Sequence, residues 1–217
     1  AHVYANPQVH GFPEAKALLA VFDELGVDKA VILPLSNAET CAEPQSTHEI
    51  LELCAAYPGR FIPFCCPDPR RFGRIADNCA DAFRAFFAEH VRLGFVGVGE
   101  LSARIPWTVP CLQGFLAGCA AFRLPVLFHT VTADFGGYGV EDVYGLQGLE
   151  AALGAFPDVP FIGHSPAFWS EISAEVTPEG KNGYPGGQVT PGGALPRLLR
   201  TYPNLFCDMS AGSGLNA

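Results

Sequence analysis

Runs rich in β-branched and aromatic residues recur along the chain at Ala30–Leu35, Phe61–Cys66, Phe95–Glu100, Pro125–Thr130, Pro160–His164 and Leu205–Ser210. They are continuous rather than alternating, which is the pattern of parallel strands buried on both faces. Between them, apolar positions return with helical spacing over Pro13–Leu25, Thr47–Ala56, Ile75–His90, Val109–Phe122, Leu146–Phe156 and Ala194–Thr201. Strand then helix throughout predicts βα units on one parallel sheet.

The joins refine this prediction. Helices stop at Gly26, at Tyr57-Pro58-Gly59, at Phe156-Pro157 and at Tyr202-Pro203, and a strand follows within a few residues. Short turns at one end and longer loops at the other match a (β/α)8 TIM barrel, whose working end is the carboxyl end of its strands. The longest loop, Ser165–Gly193, carries Phe168, Trp169, Ile172 and Tyr184, apolar anchors that predict an ordered cover over the site.

A closed barrel needs eight strands and about 250 residues. The repeat phase puts a strand just before residue 1, with His2 at its carboxyl end, and an eighth strand beyond Ala217. The expectation is therefore an α/β chain, a single barrel domain over residues 1–217 with strand 1 mostly missing and strand 8 absent, representing part of a longer protein. Standing alone it would leave sheet edges open to aggregation or to a second copy, so a homo-oligomer stays open as a partner.

Composition narrows the function. The 217 residues are 49% hydrophobic, enough for a sizeable core, and 13 Lys plus Arg face 22 Asp plus Glu for a formal charge of -9. No basic cluster could follow a phosphate backbone, so nucleic acid is not expected. With no leader-like segment or membrane-spanning run, the reading is a cytoplasmic protein with no membrane partner. Of eight cysteines, Cys54, Cys79, Cys119 and Cys207 sit in apolar contexts without framework spacing, and Cys65-Cys66 is adjacent. They read as reduced, mostly buried thiols, and CxxC zinc spacing is absent.

Candidate chemistry gathers at strand ends. Two runs, Leu124-Pro125-Val126-Leu127-Phe128-His129 and Val159-Pro160-Phe161-Ile162-Gly163-His164, each close on a histidine, and one helix separates them. His2, His129 and His164 could hold a divalent ion that activates water, or each could satisfy a backbone carbonyl. Glu100 ends Phe95-Val96-Gly97-Val98-Gly99-Glu100; at that depth it needs a metal, a substrate donor or Arg104 as partner. Asp208 is read as bonding into the loop Ser210-Ala211-Gly212-Ser213-Gly214. That loop could cradle an anion, but no nucleotide-binding pattern supports it. His10, His48 and His90 read as ordinary loop and helix histidines. Asp134, Tyr138 and Trp169 lie in loops after the histidine-bearing strands, where substrate-binding groups would come from.

These residues resemble the metal-dependent hydrolases of the amidohydrolase superfamily, in the branch that includes aminocarboxymuconate-semialdehyde decarboxylase. The resemblance runs over nearly the whole chain through Gly26-Val27-Asp28-Lys29-Ala30-Val31, Pro58-Gly59-Arg60-Phe61, Pro125-Val126-Leu127-Phe128-His129-Thr130, Phe161-Ile162-Gly163-His164 and Tyr202-Pro203-Asn204-Leu205. It implies that Ala1-His2 is what stands here of a His-x-His motif and that His129 is the fifth-strand metal ligand. It also implies that His164 is an acid/base or a polariser of the substrate. Glu100 stands where paired-metal members carry a bridging lysine, which implies a single metal, with zinc expected. The family's strand-eight aspartate has no counterpart in this sequence.

The resulting expectation is a hydrolase of a small amide, ester or lactone, with His2, His129 and Glu100 on the metal, His164 catalytic, and Trp169 and Tyr138 on the substrate. The alternatives are a non-oxidative decarboxylase of a small carboxylic acid and a catalytically dead barrel kept as a binding module.

Overall fold

The structure, a computed structural model, describes residues 1–5, 14–40, 45–72 and 79–216. Among these, the strands are β1 (Ala30–Ile32), β2 (Phe61–Cys65), β3 (Gly97–Leu101), β4 (Val126–Val131), β5 (Val140–Glu141), β6 (Phe161–His164) and β7 (Leu205–Cys207). The helices are α1 (Ala15–Leu25), α2 (Thr47–Ala56), α3 (Cys79–Arg92), α4 (Pro110–Ala121), α5 (Gln147–Ala155), α6 (Pro166–Trp169), α7 (Ala194–Thr201) and α8 (Ser213–Asn216). Every pairing is parallel, in the order β1-β2-β3-β4-β6-β7, with β5 beside β4.

Local chemistry explains these elements. Helix α1 stops at Gly26, whose left-handed φ of 71° lets Val27 N–H reach the Phe22 carbonyl at 2.8 Å. Helix α2 starts at Ser46, whose hydroxyl accepts from Glu49 N–H at 3.1 Å. Asp142 caps α5, accepting from Gly148 and Leu149 N–H at 2.9 Å each. The core lies between sheet and helices. Phe83, Phe87 and Phe115 interlock where α3 crosses α4, and Trp107, Phe128 and Phe161 meet edge to face over the sheet.

Asn204 ties the α5–β6 turn to β7. Its buried side-chain amide reaches the carbonyls of Leu153, Phe156 and Val159 at 3.2–3.3 Å. Asn204→Ala removes this donor from all three, while the Phe156 carbonyl keeps another in Val159 N–H, and a loss of about 1–3 kcal/mol is expected in denaturant unfolding. An unchanged midpoint would refute that role.

The sheet curls. Ala1 pairs with the open side of β1, its carbonyl accepting from Leu33 N–H and its amino group donating to the Val31 carbonyl. From that edge the His2 side chain reaches Glu100 on β3, and the Ala1 amino group lies in the electrostatic field of Asp208, beyond β7.

Some boundaries differ from the sequence reading. β1 ends at Ile32 rather than Leu35, because Pro34 has no N–H to continue a ladder. β3 begins at Gly97, since Phe95 N–H instead closes α3 on the His90 carbonyl. β7 runs to Cys207, Asp208 N–H still reaching the Gly163 carbonyl at 2.9 Å before the chain turns, with Ser213 N–H closing on the Ser210 carbonyl. The two-residue β5 is too short for any periodicity to show. The long loop holds α6 and a 3₁₀ turn over Ser170–Ile172. Part of the Ile75–His90 helix, together with Pro13, His10 and Cys41, lies outside the described residues. The other seven cysteines are free, and burial pushes the Cys65 thiol up to about 12. No helix among the described residues is long and apolar enough to cross a membrane.

Candidate metal and acid–base site

Parallel register builds the site. β4 and β6 pair Val126 with Phe161 and continue residue for residue until His129 lies opposite His164, at the carboxyl end of both strands. Their ring centres are 5.8 Å apart and the planes are inclined at 64°. β3 brings Glu100 to the same end, and His2 enters from the β1 edge.

Glu100 is the centre. Its Oε1 lies 3.1 Å from His129 Nδ1 and its Oε2 3.1 Å from His2 Nε2, whose other ring nitrogen is 3.1 Å from the Leu33 carbonyl. Burial would push this carboxyl up, but the hydrogen bonds from His129 and His2 outweigh it and hold Glu100 well below the usual carboxylate range. Arg104, the alternative partner, turns away to Glu141 at 3.6 Å and to the Ala133 carbonyl.

His164 has its own carboxylate. Its Nδ1 is 2.7 Å from Asp208 Oδ2. Burial works against the charged ring, yet the Asp208 hydrogen bond and the negative field of Glu100 raise its pKa. Asp208 is lowered in turn, burial being outweighed by the bonds from His164 and Ser210. The expected bonding of Asp208 into its loop is present, from Ser210 N–H at 3.2 Å, while its contact with His164 has no signal in the local pattern.

Backbone details hold these groups in place. Ser165 follows His164 at the unusual φ of 114°, while its hydroxyl bonds Thr130 N–H and C=O and caps α6 at Phe168 N–H. That clasp ties β6 to β4 beside the two histidines. A Cβ on Gly139 would stand 3.0 Å from His129 Cδ2, so only glycine lets this loop pass so close to the ring.

The substrate-side candidates separate. Tyr138 lies over the imidazole of His129, ring centres 4.5 Å apart, and is partly exposed. Trp169 is buried, and its indole N–H donates to the Asp208 carbonyl at 3.2 Å. Asp134 lines a separate cleft described below. His48 pairs with Glu52 at the surface, and His90 stacks on Phe86.

Glu100, His129 and His164 each offer a ligand atom, all within 4.8 Å of one another. Two imidazoles and a carboxylate form a donor set suited to a zinc-like divalent ion. His2 meets this group through the other oxygen of Glu100.

An all-parallel curled sheet, interleaved helices and a polar cluster at the carboxyl strand ends decide the architecture. The chain has the fold of a partial (β/α) barrel. Its three-dimensional likenesses agree. An uncharacterised TIM-barrel protein from Bordetella bronchiseptica superposes with a TM-score of 0.59 at 17% identity, over 89% of this chain and 58% of that one. 5-Carboxyvanillate decarboxylase from Sphingomonas paucimobilis gives 0.51 at 16% identity, over 73% of this chain and 54% of that one. 2,6-Dihydroxybenzoate decarboxylase from Rhizobium gives 0.51 at 12%, over 95% and 76%. The barrel chain thus spans little more than half the length of the first two. No protein-family model matches the sequence, and no curated protein does.

Proposed function

We propose that this barrel is a metal-dependent enzyme of the amidohydrolase type that removes a carboxyl group from a small, flat carboxylic acid. The observation that carries this reading is the juxtaposition of Glu100 and His129 with an imidazole, His164, already oriented by its own carboxylate. Glu100, His129 and His2 would hold the ion, which supplies charge to bind and orient the substrate carboxylate.

His164 is the proton donor in this reading. Asp208 fixes Nδ1, leaving Nε2 for the substrate. When the bond to the carboxyl carbon breaks, carbon dioxide leaves and the electron pair stays on the ring carbon, which takes the proton from Nε2. Solvent then reprotonates the imidazole. Tyr138, over His129, would flank a flat substrate.

Hydrolysis of a lactone, amide or ester is the second reading, favoured by the same carbonyl-polarising donor set. It additionally needs a base for the attacking water, and the two carboxylates of the site are bound to histidines: Glu100 to His2 and His129, Asp208 to His164. Decarboxylation needs His164 only as a proton donor, whereas hydrolysis would first need it as the base. Decarboxylases are among the solved structures alike in fold.

The test is metal-loaded protein with hydroxybenzoic acids and, separately, small lactones. The expected result is carbon dioxide release with one solvent deuteron in the product from D₂O, falling about 10²–10⁴-fold in His164→Asn. Lactone opening with ¹⁸O uptake and no carbon dioxide would establish the hydrolase instead.

A further inference from the structure

A cleft of about 550 Å³ opens beside β5, away from the histidines. Its walls are largely apolar, built from Pro106, Trp107, Tyr144 and Pro178, and the carboxylates of Asp134 and Glu141 stand in its lining. The volume falls within the range of sites for small organic molecules, and few polar groups in an aromatic frame is how such sites are made.

The charges in the lining are uneven. Asp142 also faces the cleft, but its oxygens are taken by Val143, Gly148 and Leu149 N–H at the start of α5. Glu141 pairs loosely with Arg104 at 3.6 Å, and the field of the same guanidinium reaches Asp134, so two carboxylates share one cation behind the lining. Asp134 is exposed. None of the lining residues is cationic. An anion entering here would meet carboxylates and aromatic faces, whereas a cation is favoured by both. Trp107 is 1% exposed and forms the floor of the cleft, so the accessible aromatic face is that of Tyr144, which is 43% exposed.

We propose that this cleft is a second small-molecule site that takes an organic ammonium ion, an amine carried on an aromatic or cycloalkyl ring, with the ring against Tyr144 and the ammonium toward Asp134 and Glu141. The site is separate from the metal cluster but shares a loop with it. Thr132, Ala133 and Asp134 line the cleft, and the same loop runs on to Tyr138 over His129. Occupancy is therefore read first as binding and second as a change at Tyr138.

The inference does not depend on the reaction proposed above, and its test needs no turnover. Benzylamine, benzoate and cyclohexylamine are titrated into the protein by calorimetry, with Trp fluorescence followed in parallel. Saturable binding of the two amines is expected, with benzoate at least about tenfold weaker, as a charge-selective site requires. The exposed change Asp134→Lys should weaken benzylamine about tenfold. Val143→Phe, at an exposed position on the cleft wall, should block it. His129→Ala should leave it intact. Equal binding of benzoate, absence of saturation, or loss of binding in a folded His129→Ala protein would each overturn the proposal. Trp107→Phe should abolish the fluorescence change; if that variant does not fold, the calorimetric ranking and Asp134→Lys decide alone.

Discussion

Glu100→Gln is expected to weaken divalent metal binding by about 10–100-fold and to erase the rise in melting temperature that metal gives the parent protein. Glutamine keeps the shape but removes the charge, and its amide can offer an acceptor to only one of the two imidazoles that Glu100 joins. His129→Ala should do the same through loss of the ligand itself. His164→Asn is the informative contrast. If His164 is a proton donor rather than a ligand, its loss leaves metal affinity near the parent value while activity falls. Metal content after dialysis and zinc titration by calorimetry make the measurement. Retention of parental affinity by Glu100→Gln would remove the metal centre as assigned, and loss of metal in His164→Asn would move His164 into the ligand set.

That contrast matters because sequence and structure bear differently on the site. The strand-end histidines and Glu100 were legible from pattern alone: a continuous apolar run that ends on a polar residue places that residue where a parallel strand leaves the core. Register then did the rest, since His129 and His164 close runs of matching phase and fall opposite one another. Asp208 was legible only as a strand-end residue. Its bond to His164 joins β7 to β6 across the loop ends, and no local signal announces a partner so distant in sequence. Ser165 was equally silent, because a serine after a strand does not declare a left-handed φ. Trp169 read as a substrate contact from its loop position; its indole N–H holds the Asp208 carbonyl, a contact that becomes visible only once the loop is folded back.

The ordering of that loop leads to the second large effect, at Lys181. In sequence it is one lysine in a Gly- and Pro-rich stretch, where a charge normally points to water. In the structure it is 1% exposed, with Nζ 2.6 Å from buried Glu171 and 3.0 Å from the Ala167 carbonyl, and 6.0 Å from the centre of the Tyr144 ring. Glu171 also accepts from Gly145 N–H at 3.0 Å, and Ser170 holds the Lys181 carbonyl. Next to it, Asn182 clasps Thr132 through two hydrogen bonds. The pair thus fastens the loop to α6, behind His164, and to the segment that follows His129. Lys181→Met leaves Glu171 buried without its cation, a defect that costs about 3–5 kcal/mol. That is a large share of the roughly 5–15 kcal/mol that holds a domain together. Lys181→Met with Glu171→Leu removes both charges, and recovery of most of that loss is expected, because two apolar groups of similar size need no partner. Urea unfolding of the parent, the single variant and the double variant completes the comparison. A single variant within about 1 kcal/mol of the parent would mean that water reaches the pair and the loop is not fastened there. A double variant as unstable as the single would place the loss in packing rather than in the stranded charge.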